Sequence, residues 1–159
     1  KVEILRNAVP DIELGSDWIV GFPGESDEDL DASEALLAEI GFSQNYVFKY
    51  DPRPGTVSDL GEDDVTDPKK KERNQRLLRA SEQAGLKRTE TYIGREVLVF
   101  VEKQSDRNPE LVVGRTTHCF SISFKGSGDL IGQSVRVRVM QASPYNLSGE
   151  LVVETPSAN

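Results

Sequence analysis

The stretch Asp17-Trp18-Ile19-Val20-Gly21-Phe22-Pro23-Gly24-Glu25-Ser26 constrains the fold of this chain more than any other. Trp18, Ile19 and Val20 are an aromatic and β-branched run of the kind that parallel sheets bury on both faces. Gly21 and Gly24 permit backbone angles and close approaches that a Cβ forbids, and Pro23 stiffens the bend between them. Glu25, Asp27, Glu28 and Asp29 then fall in the first turn of a helix, where carboxylates suit the positive end of the dipole. A strand, a glycine turn at its carboxyl end and a helix together form the edge at which α/β proteins place ligands. An ordinary β-to-α loop is the alternative these residues leave open.

The flanking sequence extends this stretch into one β-α-β unit, as in a half-barrel or a piece of parallel sheet. Residues 1–9 read as the tail of a helix, or as a strand, stopped by Pro10. A helix from about Asp27 to Ile40 places Leu30, Leu37 and Ile40 near one face, with Gly41 as its C-cap. Tyr46-Val47-Phe48-Lys49-Tyr50 reads as the second strand. Residues 51–66 carry Pro52, Pro54, Gly55, Gly61 and the acidic run Glu62-Asp63-Asp64, a loop long enough to suggest function. Asp67 reads as an N-cap, with Pro68 as the first residue of a basic helix reaching about Tyr92. Lys69, Lys70 and Lys71 look like its solvated start.

From Gly94 the pattern changes to short alternating strands at 97–102, 111–115, 119–124, 134–140 and 147–154, separated by turn-rich segments. Five such strands suit a small closed barrel of the oligonucleotide-binding (OB) kind. The expected fold class is therefore α/β plus β. The expected units are residues 1–92, including the connecting helix 68–92, and 93–154, with 155–159 a disordered tail.

No run approaches the ~20 apolar residues of a membrane span, and no signal-peptide pattern opens the chain, so no membrane partner and a cytosolic location are expected. The chain starts at Lys1 and its only methionine is Met140, so it is expected to be the C-terminal part of a longer protein. Cys119 is the sole cysteine, which excludes an internal disulfide and cannot by itself hold an iron–sulfur cluster. The net charge of -8 is unevenly spread. Residues 1–66 carry 4 Lys/Arg against 16 Asp/Glu, a balance of -12, and residues 67–159 carry 15 against 11, a balance of +4. A polyanionic partner is therefore expected on the second half.

Ile19-Val20-Gly21-Phe22-Pro23-Gly24-Glu25, followed by Tyr50-Asp51-Pro52-Arg53-Pro54-Gly55-Thr56, resembles the paired signature of the radical S-adenosylmethionine (SAM) methylthiotransferases. The resemblance runs on through a basic helix to a terminal β-domain similar to the RNA-binding TRAM module, which carries Gly114-Arg115-Thr116. It implies that residues 1–92 are the C-terminal part of a TIM-like partial barrel and that residues 93–154 are a TRAM barrel. It also favours a helix for residues 1–9. Ser26 and Asp51 depart from the usual Thr and Ser, and Trp18 from a common aliphatic. The family's N-terminal domain and its Cys-x-x-x-Cys-x-x-Cys motif are absent from the sequence.

What the resemblance implies about sites is specific. Ile19, Gly21 and Glu25 would line the SAM site, and Arg53, framed by Pro52 and Pro54, would grip an anionic group. Gly21 and Glu25 have the alternative of a plain turn glycine and a helix-start carboxylate, and Arg53 that of pairing with the acidic loop. Lys103, Arg115, Lys125, Arg136 and Arg138 are the candidate phosphate contacts on the barrel. Phe120 and Phe124 are expected in the core. His118 and Cys119, adjacent in a strand, would point to opposite faces, so no metal site is assigned.

The implied cofactors are SAM and two 4Fe-4S clusters in the longer protein, with no cluster ligands in this chain. The implied reaction is addition of a methylthio group to an isopentenyl-modified adenosine, with the tRNA anticodon stem-loop as partner and a monomeric state. The chain alone is expected to be inactive. Two alternatives stay open: a family relative acting on a ribosomal protein or on threonylcarbamoyladenosine, and a plain RNA-binding OB-like module.

Overall fold

In the computed structural model, which describes residues 1–60 and 63–153, Trp18, Ile19 and Val20 lie in β1 (Gly15–Val20). This strand pairs in parallel with β2 (Gln44–Lys49), from Gly15 opposite Gln44 to Val20 opposite Lys49. The connecting helix is α2 (Asp27–Ile40). Its start is fixed by a capping box, in which the Ser26 hydroxyl accepts from the Asp29 N–H at 3.1 Å and the Asp29 carboxylate accepts from the Ser26 N–H at 2.9 Å. Its end is fixed by Gly41 at φ 63°, whose N–H reaches the Leu37 carbonyl. A short helix, α1 (Val2–Ala8), precedes β1, as the resemblance implied.

The long helix α3 (Asp67–Glu90) follows a 3₁₀ turn at Val57–Leu60. Lys70 N–H donates to the Thr66 carbonyl, so the helical ladder begins on Thr66, one residue before the expected cap at Asp67. Leu30 and Leu37 of α2, Val20 of β1 and Leu77 of α3 form one buried cluster, with Trp18, Val47 and Ala84 packed against it. Burying each such aliphatic side chain contributes roughly 1.5–3 kcal/mol. The expected two-faced burial of β1 is not what forms. Ile19 is 57% exposed, beside Phe48 and Tyr46, which are also exposed. A parallel sheet buries both faces only when each is covered. Here the apolar cluster gathers on the face of Trp18, Val20 and Val47, and the alternate residues face outward.

The chain divides into two units, Lys1–Gly85 and Leu86–Asn159. In the second, β3 (Glu96–Gln104), β4 (Leu111–Thr116), β5 (Ser121–Lys125), β6 (Ser134–Ala142) and β7 (Asn146–Leu151) close into a barrel ordered β3-β4-β5-β7-β6. All neighbours are antiparallel except β5 and β7. This is the closed five-stranded arrangement expected of an OB-like domain. Alternation puts Val99, Val101, Val112, Ile122, Phe124, Val137 and Val139 inside with Phe120, Leu147 and Tyr92. Phe120 and Phe124 are thus core residues.

Two glycines let the barrel close. A Cβ on Gly114 would collide with the Phe100 carbonyl and the Val99 side chain, and one on Gly149 with the Arg138 carbonyl and the Val137 side chain. Both lie beside register shifts, at Val101/Lys103 and at Val139/Gln141. The third barrel strand starts at Ser121 rather than Cys119, because Cys119 takes a left-handed φ of 64° in the turn. Glu154 and the tail 155–159 lie outside the described residues. Among the described residues, no helix is long and apolar enough to cross a membrane.

Candidate functional site

The turn after β1 is held by charge. The Gly21 N–H donates to Glu25 Oε2 at 2.5 Å, drawing the start of α2 back against the strand end. Glu25 in turn accepts from Arg73 Nη1 at 2.8 Å on its carboxylate and 2.9 Å on its carbonyl, while Arg73 Nη2 reaches Asp27 at 3.0 Å. Burial opposes the charge on Arg73, but the hydrogen bonds it donates to Asp27 and Glu25 outweigh it and raise its pKa. The hydrogen bonds from Arg73 and Lys69 hold the Asp27 carboxyl below its ordinary value of 3.8. Gly21 sits at φ 73°, and a Cβ there would also collide with the Lys70 stem.

Lys70 departs from the expected solvated helix start, being only 4% exposed. Its ammonium pairs with Asp63 at 2.5 Å and lies 5.2 Å from the Tyr50 ring centroid. Arg76 pairs with Asp31 and Glu34 at 2.7 Å each. The basic face of α3 is therefore spent on the acidic start of α2 and on the acidic loop, where Asp64 also accepts from the Gly24 N–H at 2.8 Å. Of the run Lys69–Lys71, Lys70 turns inward, Lys69 pairs with Asp27 at 3.1 Å and Lys71 stays exposed.

On the open face of β1 and β2 lies a cavity of about 560 Å³, lined by Ile19, Phe22, Phe48 and Tyr50 with Asp17, Asp51, Arg53 and Thr56 at its polar edges. Tyr50 is 8% exposed and its hydroxyl has no hydrogen-bond partner among the described residues. Arg53 is exposed and has no carboxylate partner among the described residues; Glu62 of the acidic loop lies outside them. Its carbonyl accepts from Thr56, closing the turn that carries Gly55 at φ 85°. Of the four predicted cofactor residues, Ile19 and Arg53 meet in this cavity, whereas Gly21 and Glu25 support the turn beneath. Phe22, Phe48 and the Tyr50 hydroxyl were not singled out in sequence. The alternation of Phe48 with Val47 was the available signal.

The five predicted barrel cations fall into two groups. Arg115 on β4 stands opposite Phe100 of β3, and Arg136 on β6 stands opposite Leu98, with Arg138 opposite Glu96. Lys103 and Lys125 lie by the β3–β4 loop and pair with its Asp106 at 2.5 Å and Glu110 at 3.8 Å. Arg115 pairs with Glu102 at 3.2 Å and Arg138 with Glu96 at 2.7 Å. Exposed pairs of this kind contribute about 0–1 kcal/mol. Arg136 has no carboxylate partner among the described residues. No group of three or more His, Cys, Asp or Glu side chains among the described residues is arranged to hold a metal ion.

Residues 90–152, which span the barrel, match the family model described as TRAM domain. Across nearly the whole chain the sequence is similar to proteins named tRNA-2-methylthio-N(6)-dimethylallyladenosine synthase. Those of Bacillus mycoides (strain KBAB4) and Bacillus subtilis (strain 168) are each 39% identical over 153 residues, covering 96% of this chain and 30% of the relative. That of Coxiella burnetii (strain RSA 331 / Henzerling II) is 37% identical over 151 residues, covering 95% of this chain and 34% of the relative. The chain thus spans about a third of the length of these curated relatives.

Proposed function

We propose that this chain is the part of a tRNA methylthiotransferase that seats SAM at the open face of β1 and β2 and holds RNA on its TRAM barrel. The observation that carries this reading is the continuous likeness, over 95% or more of the chain, to synthases bearing that name. The substrate we assign is an isopentenyl-modified adenosine in the anticodon stem-loop of tRNA, engaged by a monomer in the cytosol. Residues 1–85 then supply strands to a larger barrel, which is consistent with their uncovered apolar face.

The cavity suits SAM in its chemistry. Ile19, Phe22 and Phe48 offer an apolar wall for the adenine ring, Arg53 a fork for the carboxylate, and Asp17 and Asp51 negative charge for the cationic centres. The unpartnered Tyr50 hydroxyl is a buried polar atom that a ligand would satisfy. SAM, with two 4Fe-4S clusters held outside this chain, supplies the radical chemistry. This chain's residues bind, orient and exclude water. Gly21, Glu25 and Arg73 act one step back, fixing the strand end on which Ile19 stands.

The test is a chimera in which this chain replaces the matching stretch of the Bacillus subtilis synthase, assayed by mass spectrometry of tRNA nucleosides in a strain lacking that enzyme. The chimera restores the methylthio nucleoside, and Arg53→Ala or Ile19→Asp within it removes the product. A folded chimera that yields none contradicts the reading.

A further inference from the structure

The barrel exposes an aromatic ring that its core does not need. Phe100 is 51% exposed on the outer face of β3, whereas the phenylalanines nearest the expected RNA signature, Phe120 and Phe124, are buried. Its cross-strand neighbours are Arg115 on β4 and Ser134 on β6, and Arg136 stands opposite Leu98, diagonal to the ring. Directly opposed residues have Cβ atoms about 5 Å apart and diagonal ones about 7–8 Å. The strand register therefore places an arginine on each neighbouring strand beside Phe100, and the Arg115 guanidinium is held by Glu102 and the Cys119 carbonyl. On the β6 side the small Ser134 leaves its flank uncovered. Gly114 fixes this arrangement, since its missing side chain lets β4 approach the Phe100 backbone and holds Arg115 in register.

We infer that Phe100 is a stacking platform for one unpaired RNA base, with Arg115 and Arg136 binding the phosphates on either side. An exposed aromatic between two cations has the chemistry that single-stranded nucleic acid requires: a π-face for any base and charge along the backbone track. A duplex, whose bases are already stacked, engages the arginines and leaves the ring unused. The inference rests on the reading of the barrel as an RNA-binding domain and adds the strand state and the residue that senses it.

The experiment measures binding of the full chain to a labelled hairpin with an unpaired loop and to a fully paired RNA of equal phosphate number. Phe100→Ala lowers affinity for the looped RNA by about tenfold, the scale of losing one base–aromatic stack, with the salt dependence unchanged and duplex binding unaffected. Phe100→Trp retains loop binding, and its added fluorescence is quenched by the looped RNA alone. If the wild-type chain binds neither RNA, the RNA-binding reading itself fails. If it binds both and Phe100→Ala changes neither affinity, or lowers both equally, the stacking role is overturned and the exposed ring is assigned to a protein contact.

Discussion

Arg73 and Glu25, on elements separated by 48 positions in sequence, form a buried ion pair at 2.8 Å with side-chain exposures of 5% and 12%. Because Glu25 also holds the Gly21 N–H, this pair ties α3 to the turn that ends β1. Removing one partner leaves the other charge buried. Arg73→Ala should therefore destabilise residues 1–85 by about 3–5 kcal/mol. Trp18, the only tryptophan, reports on this unit in a urea titration. A midpoint unchanged from wild type would show that the pair is energetically idle.

Gly21→Ala should cost about 1–3 kcal/mol, because alanine is strained at φ 73° and its methyl would press on the Lys70 stem. The same titration reads it. Gly24→Ala, at φ 81° but with open space around the added methyl, should cost less, since it bears the backbone strain alone.

Acid should weaken the first unit. The Asp27 carboxyl is held below 3.8 by the hydrogen bonds from Arg73 and Lys69, and the Asp29 carboxyl by those from the Ser26 backbone and hydroxyl. A depressed folded pKa stabilises above the unfolded value, so this contribution is complete above about pH 5 and disappears as pH falls through the folded pKa. Trp18 fluorescence against pH should show the loss below about pH 4, and Asp29→Asn should flatten it. Stability that rises on acidification below pH 4 would contradict the assignment.

Gly114→Ala should disrupt the second unit, since the methyl meets the Phe100 carbonyl and the Val99 side chain. Overpacking of this kind costs about 1–3 kcal/mol or more. Circular dichroism should show a lower barrel midpoint with the Trp18 transition unmoved. Coincident shifts of both would sink the account of Gly114 as a local closure device.

The barrel was legible because strand alternation and turn chemistry are local, and every strand was placed to within a few residues. The start of β5 at Ser121 is not legible, because a cysteine at positive φ carries no sequence signal. The β-α-β unit was equally legible, but the exposure of Ile19 was not, since an apolar run does not say which face lacks a cover. The basic helix misled most. Lys70 reads as part of a solvated helix start until the fold brings Asp63 to it, and the partners of Arg73 and Arg76 (Glu25, Asp27 and Glu34) are likewise fixed by long-range geometry that the sequence does not show. For the site, the motif pointed to Ile19 and Arg53, while Phe48 and Tyr50 join them only through parallel registration of β2 on β1.

The central proposal, that the barrel grips RNA through phosphates, is tested most directly by the salt dependence of binding to the anticodon stem-loop. Arg115, Arg136 and Arg138 each release counterions on contact, so log affinity against log salt should fall with a slope of about -2 to -3. The triple alanine variant should bind every stem-loop more weakly and flatten that slope by about 2. A slope near zero in the wild-type chain, or an unchanged slope in the triple variant, would contradict the claim.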